Sequence, residues 1–331
     1  MNYTYVIAEM ACSHEGDINL AKVIIDASVE AGADAVQLQI WNLKQMMSPQ
    51  RKEFQLLEKL EFDQEEWKSL VNYSRSKYPD LDIYVCVYEH SSIEFISGLG
   101  VDGFKINSSD LSNPLVLKKV AATNKPINLS IGASSIQEIQ NALEIISDTS
   151  SSPVTLMYGH QSFPTKPESV NMSYMQTMSY LFGLPIGYQD HSDADSDAAY
   201  WLPASSLGMG VTILEKHLTH DRSLKGIDHE SALNPDEFIA FVDMVRIIDT
   251  AKGLSTPRPF SEEENKYREF QKKSIVASRD LDKGHILTTD DLAFMRAQEL
   301  GYSPEKLDLI IGKIITCEIK AYQTITEKDF T

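Results

Sequence analysis

The stretch YVIAEMACSHEGDINLAKVIIDASVEAGADAVQLQI, residues 5–40, carries the clearest signal of the fold class. It begins and ends with short apolar runs, YVIA and AVQLQI, of the kind that form buried strands. Between the two runs, Leu20, Ile24 and Ala27 recur at the spacing of one helical face. A strand, a helix and a second strand in this order predict one unit of a parallel sheet.

The same alternation continues through most of the chain. Six further apolar runs lie at residues 83–87, 103–106, 127–131, 154–158, 185–189 and 212–216. Segments with helical periodicity, such as SIQEIQNALEIIS and PDEFIAFVDMVRIIDTAKG, lie between or after these runs. Strand–helix units repeated in this way predict a closed (β/α)8 TIM barrel, which is an α/β fold. An open doubly wound sheet is the alternative, but no glycine-rich phosphate-binding turn follows the first run.

The length of 331 residues suits one barrel of about 250 residues and a small second domain. We expect the catalytic barrel at residues 1–253 and a polar linker with some helix at 254–273, where prolines and a charge run occur. Short segments with Thr and Asp punctuation predict a compact, strand-rich module at 274–331. A module of this size has a small core, so we expect it to dock on the barrel or on a partner.

The composition excludes several classes of function. The chain has 30 Lys and Arg against 48 Asp and Glu, a net charge of −18, whereas a nucleic-acid-binding protein needs a basic face. Three cysteines, Cys12, Cys86 and Cys317, are too few and too scattered for a disulfide framework or a zinc cluster. The N-terminus lacks the basic region of a signal peptide, and no apolar run approaches the ~20 residues of a membrane helix. We therefore expect a cytoplasmic protein that binds neither nucleic acid nor membrane.

Polar residues stand at the end of nearly every predicted strand. Active sites of TIM barrels lie at the C-terminal ends of the strands, where such residues come together. The polar residues at these ends include Glu15, Gln37, Lys105, Ser108, Ser130, Gln161, Gln189, His191 and His217. A barrel with a purely structural role has no need of polar groups at one end, so this pattern predicts a pocket.

His191 and His217 follow two neighbouring strands, so both imidazoles can approach one ion. Two histidines with open coordination positions are typical of a catalytic divalent metal, although the residues alone do not choose among Mn, Zn, Co, Fe and Mg. The alternative is that each imidazole satisfies a core or loop hydrogen bond.

Two charged residues near these strand ends are further candidates. Glu15, in the loop after the first strand, is either a general acid or base above the barrel mouth or a solvated loop charge. Lys105 lies inside a buried strand, so it needs an anionic partner, either an internal carboxylate or a bound carboxylate or phosphate. It is also a candidate Schiff-base lysine.

Together these motifs resemble the sialic acid synthase (N-acetylneuraminate synthase) family, whose members condense phosphoenolpyruvate (PEP) with an N-acylhexosamine or its 6-phosphate. The resemblance runs through nearly the whole chain, and FKINSSD, GYQDHS and ILEKHLTHDRSLKGIDHES carry much of it. The segment SIVASRDLDKGHILTTDDLAFMR resembles the antifreeze-like (SAF) domain of that family. The ordered occurrence of these motifs implies a TIM barrel followed by a SAF domain.

The resemblance also implies roles for individual residues. It implies a divalent metal at His191 and His217, Mn²⁺ in the first place, with Mg²⁺ or Co²⁺ as alternatives. It gives Glu15 a proton-transfer or positioning role and places a second carboxylate at Asp228. In a domain-swapped homodimer, Arg296 of the SAF domain would reach into the partner's active site.

The donor pocket departs from the family pattern. Lys105, Ser108 and Ser130 are kept to hold the anionic groups of the donor, and Asp110 is the acidic residue of the fourth-strand motif. Where the family usually has lysine or serine, this chain has Gln37 and Gln189, and its third-strand Ser-Thr-Pro-Phe motif reads VCVY. Two further positions of this pocket, Gln161 and Phe163, lie in the segment GHQSFP. The metal and aldehyde chemistry is therefore expected to be retained, and the donor or its binding mode to be altered.

The first prediction for the function is a metal-dependent condensation of PEP with an N-acylhexosamine or related sugar aldehyde, which gives a nonulosonic-type 2-oxo acid. In that reaction, C3 of PEP attacks the aldehyde carbon, water adds to C2, and phosphate leaves. A metal-dependent aldolase or lyase that acts on a 2-oxo acid without phosphate is the second. A catalytically silent, sugar-binding paralogue is the third, and the retained metal pair and carboxylates argue against it. Residues 42–61, where acceptor loops are expected, carry no recognisable code for the acceptor sugar.

Overall fold

The computed structural model describes residues 3–253 and 256–330. The chain divides into two compact units, residues 1–253 and 254–331. The segment predicted as a linker therefore groups with the second unit, and its first two residues, 254 and 255, lie outside the described part of the chain.

The first unit is a closed barrel of eight parallel strands in sequence order, which confirms the predicted fold class. The strands are β1 Tyr5–Glu9, β2 Ala35–Ile40, β3 Asp82–Val87, β4 Gly103–Ile106, β5 Ile127–Ser130, β6 Val154–Tyr158, β7 Ile186–Asp190 and β8 Ile213–His217. The barrel closes between β1 and β8 in a register that sets Glu9 opposite His217. Each strand lies within one residue of its predicted limits.

Helices follow the strands, and the longer ones form the outer layer of the barrel. They are α1 Ile18–Glu30, α2 Leu43–Met46, α3 Phe54–Leu57, α4 Gln64–Lys77, α5 His90–Ser97, α6 Pro114–Ala121, α7 Ile136–Thr149, α8 Pro167–Val170, α9 Ser173–Phe182, α10 Ala198–Gly208 and α11 Pro235–Lys252. In α7, Ser135 and Glu138 form a capping box that satisfies free backbone N–H groups at the helix start. Ile139, Ala142 and Ile146 are buried at helical spacing, so the apolar face of α7 packs on the barrel.

The interior of the barrel changes from apolar to polar along the strands. Near the N-terminal ends, Ile7, Ala35 and Tyr84 form a small apolar cluster. Further along, side chains alternate between the core beneath the helices and the barrel interior. In β4, for example, Phe104 belongs to the core, whereas its neighbour Lys105 lines a cavity in the interior. The strands thus carry their polar inward side chains to the C-terminal end of the barrel.

The second unit has its own small core, which includes Ile275, Leu281, Ile310 and Ile319. Its helix α12, Glu262–Gln271, lies within the predicted linker, and β9, Ser274–Ala277, pairs antiparallel with β10, Leu292–Met295. Isolated bridges and short 3-10 turns supply much of the remaining order. Across the described ranges of both units, no helix is long and apolar enough to cross a membrane.

Candidate active site

A cavity of about 170 Å³ lies at the C-terminal end of the barrel. Eight of the predicted site residues line it: Lys105, Ser130, Gln161, Phe163, Gln189, His191, His217 and Asp228. Glu9, Gln39, Tyr88 and Asn107 also line it and were not among the predicted site residues. The strand ends therefore bring together most of the residues that the sequence pattern selected.

His191 and His217 form a pair of neutral imidazoles beside the cavity. Their ring centroids are 5.5 Å apart. Burial lowers the pKa of His191 to about 4 and also lowers that of His217, so neither ring carries a charge at neutral pH. Neutral imidazole is the form that binds a metal.

The hydrogen bonds of His191 and His217 are compatible with both imidazoles binding one divalent ion. His191 Nδ1 lies 2.9 Å from the carbonyl oxygen of His160 and donates to it, which leaves a lone pair on Nε2. A backbone acceptor of this kind is typical of metal-binding histidines. The buried Nδ1 of His217 has no partner among the described residues. No set of three or more His, Cys, Asp or Glu with metal-binding geometry occurs in residues 3–253 or 256–330, so water or substrate would complete the coordination.

The aromatic ring of Phe163 stands against both imidazoles. Its centroid lies 4.3 Å from that of His191 and 6.1 Å from that of His217. The ring places an apolar wall on one side of the pair, where it limits the access of water. Lower local polarity strengthens electrostatic interactions inside the cavity.

Glu9 is the carboxylate of the cavity that sequence reasoning missed. It is 1% exposed, and its carboxylate accepts hydrogen bonds from the N–H of Ala11 at 2.6 Å and from the side-chain amide of Gln37. Burial, and after it the nearby Glu215, raises the pKa of Glu9 to about 7. The first strand was predicted to end at Ala8. One more residue at period two would have placed Glu9 on the interior face with Ile7.

Lys105 has the internal carboxylate partner that its burial requires, because its Nζ donates to Glu215 Oε1. Burial alone would lower the pKa of Lys105, but Glu215 and Glu9 raise it above its usual value. A lysine held in the protonated state is a poor amine nucleophile, so the geometry argues against a Schiff base.

Three of the predicted donor-binding residues form a hydrogen-bonded row. Ser108 Oγ lies 2.8 Å from Ser130 Oγ, which also accepts a hydrogen bond of 2.8 Å from Gln189 Nε2. Ser108 therefore stands behind Ser130 and is one contact removed from the cavity lining. The side chain of Gln161 lies close to the backbone of Gly132. A Cβ added at position 132 would lie 2.6 Å from Gln161 Nε2, so this approach requires glycine.

Asp228 is brought to the cavity by the loop after β8. Its backbone adopts the left-handed conformation, with φ 64°. Burial, and after it Glu230, raises the pKa of Asp228 to about 6. The carboxylate therefore changes charge close to neutral pH.

Glu15 was predicted to act above the barrel mouth, and its role there stays a prediction. Glu15 is absent from the cavity lining, because the turn after β1 aims its carboxylate at His229, with Oε1 3.8 Å from Nε2. The carboxylate of β1 that does reach the cavity is Glu9.

Gln37 and Asp110 were predicted to bind substrate, but neither lines the cavity. The amide of Gln37 is used by Glu9. Asp110 accepts hydrogen bonds from Ser109 and Asn113 in its own turn, at 2.9 and 3.0 Å. Arg296 is exposed in the second unit, directly after β10, and its role stays a prediction.

Comparison with known proteins shows the same two parts. The sequence profile of the NeuB family matches residues 24–256, and that of the SAF domain matches residues 272–331. The chain is 30% identical to N,N'-diacetyllegionaminic acid synthase of Campylobacter jejuni, over 99% of this chain and 100% of that protein. It is 28% identical to human N-acetylneuraminate-9-phosphate synthase, over 98% of this chain and 92% of the human protein. The crystal structure of an N-acetylneuraminic acid synthetase from Leptospira borgpetersenii, in complex with citrate, matches with a TM-score of 0.73 and 30% identity. That match covers 80% of this chain and 91% of the other.

Proposed function

Because the chain belongs to the NeuB family, we propose that it condenses PEP with an N-acylhexosamine or related sugar aldehyde to give a nonulosonic-type 2-oxo acid. The chain is a sugar-acid synthase of the transferase type, as its named relatives are. The observation that carries the proposal is the cavity in which two neutral imidazoles, a protonated Lys105 and the carboxylate of Glu9 converge. Its three free cysteines are typical of a reducing compartment, so we place the reaction in the cytoplasm.

The two histidines would hold the metal. A divalent ion, Mn²⁺ or alternatively Mg²⁺ or Co²⁺, held by His191 and His217 would supply Lewis-acid polarisation of the aldehyde oxygen. Lys105, Ser130 and Gln189 bind the donor and orient its C3 toward the aldehyde carbon.

The proton transfers fall to Glu9. The C3–C bond forms as the aldehyde carbon is attacked, and positive charge develops at C2 of the donor. Water then adds to C2, Glu9 accepts a proton from that water, and the former aldehyde oxygen takes up a proton in return. Loss of phosphate from C2 gives the 2-oxo acid. Asp228 holds the acceptor through its hydroxyl groups.

Phosphate release tests this proposal. The purified protein is incubated with PEP, a divalent metal and a panel of N-acylated hexosamines and other aldehydes. We expect inorganic phosphate only where an accepted aldehyde is present. Phosphate release that is independent of every aldehyde would contradict a condensation.

The charges of the cavity favour a second candidate, an aldolase or lyase that acts on a 2-oxo acid without phosphate. Lys105 is the one cation among the described lining residues, and Glu215 already neutralises it. Glu9 and Asp228 add two carboxylates to the same lining. Such a site disfavours a phosphate group more than a single carboxylate. Acid formation from pyruvate and an aldehyde, without PEP, would establish this candidate.

Gln37→Lys tests whether the donor carries phosphate. Gln37 does not line the cavity, so a lysine there would act by pairing with Glu9 and offsetting the negative charge of that lining carboxylate, and a charge-assisted contact is about twice as strong as a neutral one. We expect KM for PEP to fall about tenfold, since about 1.4 kcal/mol corresponds to that factor, and KM for pyruvate to change less. Gln37→Met is the control for size without charge. An unchanged or higher KM for PEP would favour the donor without phosphate.

We extend the proposal to the assembly, a domain-swapped homodimer in which Arg296 completes the partner's site. The support is the resemblance of the SAF segment and the carboxylates of the cavity, which attract a cation. Arg296→Ala and His217→Ala should each be inactive alone. When equal amounts of the two subunits are mixed and exchanged, half of the dimers are mixed and one site in each of these has both native residues, so up to about a quarter of wild-type activity should return. No recovery after demonstrated exchange would contradict the shared site.

A further inference from the structure

The loop between β8 and α11, residues 218–234, is fixed to the C-terminal end of the barrel at several points. Ser231 Oγ donates to the carbonyl oxygen of His191 at 2.8 Å. The N–H of Ala194 donates to the carbonyl oxygen of Glu230, also at 2.8 Å. These contacts tie the loop to the segment after β7, which carries one of the predicted metal ligands.

A buried imidazole stands at the centre of this loop. His229 is 1% exposed, and its Nε2 lies 3.1 Å from Thr219 Oγ1 and 3.8 Å from Glu15 Oε1. Gly226 closes the remaining side, because an added Cβ there would lie 2.7 Å from His229 Nε2 and 3.0 Å from Glu15 Oε1. We call Glu15, Thr219, Gly226 and His229 together the His229 seat.

The proton of His229 can be placed from its neighbours. A lone pair on Nε2 would face the carboxylate of Glu15, which is unfavourable, so we place the proton on Nε2, where it is donated to Thr219 Oγ1 at 3.1 Å and is attracted by the carboxylate of Glu15 at 3.8 Å without a hydrogen bond to it. Nδ1 is then the acceptor atom, and it has no partner among the described residues. The carboxylate of Glu15 thus faces an N–H group and not the cavity.

The seat adjoins Asp228 directly. Asp228 precedes His229 and has φ 64°, a conformation that costs energy in a residue other than glycine. Such a conformation persists where the surroundings fix it, and functional sites are a common place for it. His229 directly follows Asp228, so fixing the imidazole of His229 also restricts the backbone of Asp228. In this arrangement the side chain of Asp228 lines the cavity.

We infer that Glu15 is a positioning residue, which acts through His229 to hold Asp228 in the cavity, and is not the residue that transfers a proton. The inference rests on the proposed function for its kinetic consequences, because Asp228 is assigned there to the acceptor. The cavity position on β1 belongs to Glu9, so proton transfer does not require Glu15.

Four variants test the inference by kinetics with the aldehyde as the varied substrate. Glu15→Ala and His229→Ala should raise KM for the aldehyde and lower kcat about 100-fold, since a misplacement of 1 Å can cost that much. Glu15→Gln and His229→Gln keep an acceptor and a donor in place, so they should stay within about tenfold of the wild type. A general acid or base at position 15 predicts instead that Glu15→Gln is as inactive as Glu15→Ala, and that result would overturn the inference.

A measurement without turnover separates this inference from the proposed function. The N–H groups of Ser231 and Ala232 donate to the carbonyl oxygens of Asp228 and His229, at 3.1 and 3.0 Å. Their hydrogen exchange should accelerate about tenfold or more in both alanine variants and stay near the wild-type rate in both glutamine variants. Glu144→Ala, at an exposed position of α7, is the matched control and should change neither kinetics nor exchange.

The two measurements have separate outcomes. If the wild type condenses no aldehyde but hydrogen exchange in the four variants is as expected, the proposed function is wrong and the role of Glu15 in fixing His229 is supported. If hydrogen exchange in the alanine variants equals that of the wild type, the inference that Glu15 acts through His229 is wrong, whatever the activity of the variants.

Discussion

Replacing His191 and His217 together with alanine should lower turnover by about four orders of magnitude and leave the barrel folded. If His191 and His217 hold the proposed metal, its loss would remove several kcal/mol of transition-state stabilisation, and about 5.5 kcal/mol corresponds to that factor in rate. Both residues stand at the C-terminal rim, where they line the cavity and lie outside the main apolar core. The measurements are metal content, steady-state rate and circular dichroism of the purified variant.

His90→Ala is the control for this experiment. His90 is an exposed histidine at the start of α5, and it does not line the cavity. The variant should keep the metal content and the rate of the wild type. A double variant at His191 and His217 that is free of metal and yet turns over at the wild-type rate would refute the metal proposal.

Glu9→Gln should lower kcat about 1000-fold, the middle of the range for loss of a general acid–base group. Folding raises the pKa of Glu9 from 4.5 to about 7, mainly through burial, so the wild-type carboxylate is an effective base near neutral pH. In the wild type, kcat/KM should fall as pH decreases below about 7, because Glu9 then takes up a proton. Retention of that pH dependence and of wild-type kcat in Glu9→Gln would exclude Glu9 as the base.

The same variant should be more stable than the wild type at high pH. Because the pKa of Glu9 is higher in the folded state, its ionisation opposes folding above pH 7 by up to about 3 kcal/mol. The amide carries no charge, and a rotated Gln37, whose Oε1 lacks a partner among the described residues, can accept a hydrogen bond from it. The gain should shrink as pH falls and vanish near pH 4. Urea unfolding with a chelator at pH 8 and pH 5 measures it, and equal gains at both values would contradict the raised pKa.

The barrel could be predicted because its signal is local. Apolar runs bounded by polar segments predicted each of the eight barrel strands to within one residue, and β4 shows the reason. Phe104 and Ile106 mark the buried strand, while Lys105 between them is out of place unless the interior is polar at that level. The convergence of His191 and His217 follows from adjacent strands in the same way.

What the sequence did not reveal are the contacts that Glu15, Gln37 and Asp110 make in the folded chain. Glu15 was placed at the barrel mouth because it follows β1, but its left-handed backbone, with φ 50°, and its approach to His229 depend on a loop more than 200 residues away. Gln37 was expected to face the donor, and only the register of β1 with β2 reveals that Glu9 takes its amide. Asp110 matches a motif position, but its own turn uses its carboxylate.

The central claim is that C3 of PEP attacks an aldehyde in this cavity and that water then adds to C2. The fate of the bridging oxygen of PEP tests this claim. PEP labelled with ¹⁸O between C2 and phosphorus is turned over with an accepted aldehyde, and the phosphate is analysed by mass spectrometry. Addition of water at C2 followed by loss of phosphate breaks the C–O bond, so the account predicts one ¹⁸O in each phosphate released. Unlabelled phosphate, or acid formed from pyruvate with no phosphate at all, would contradict it.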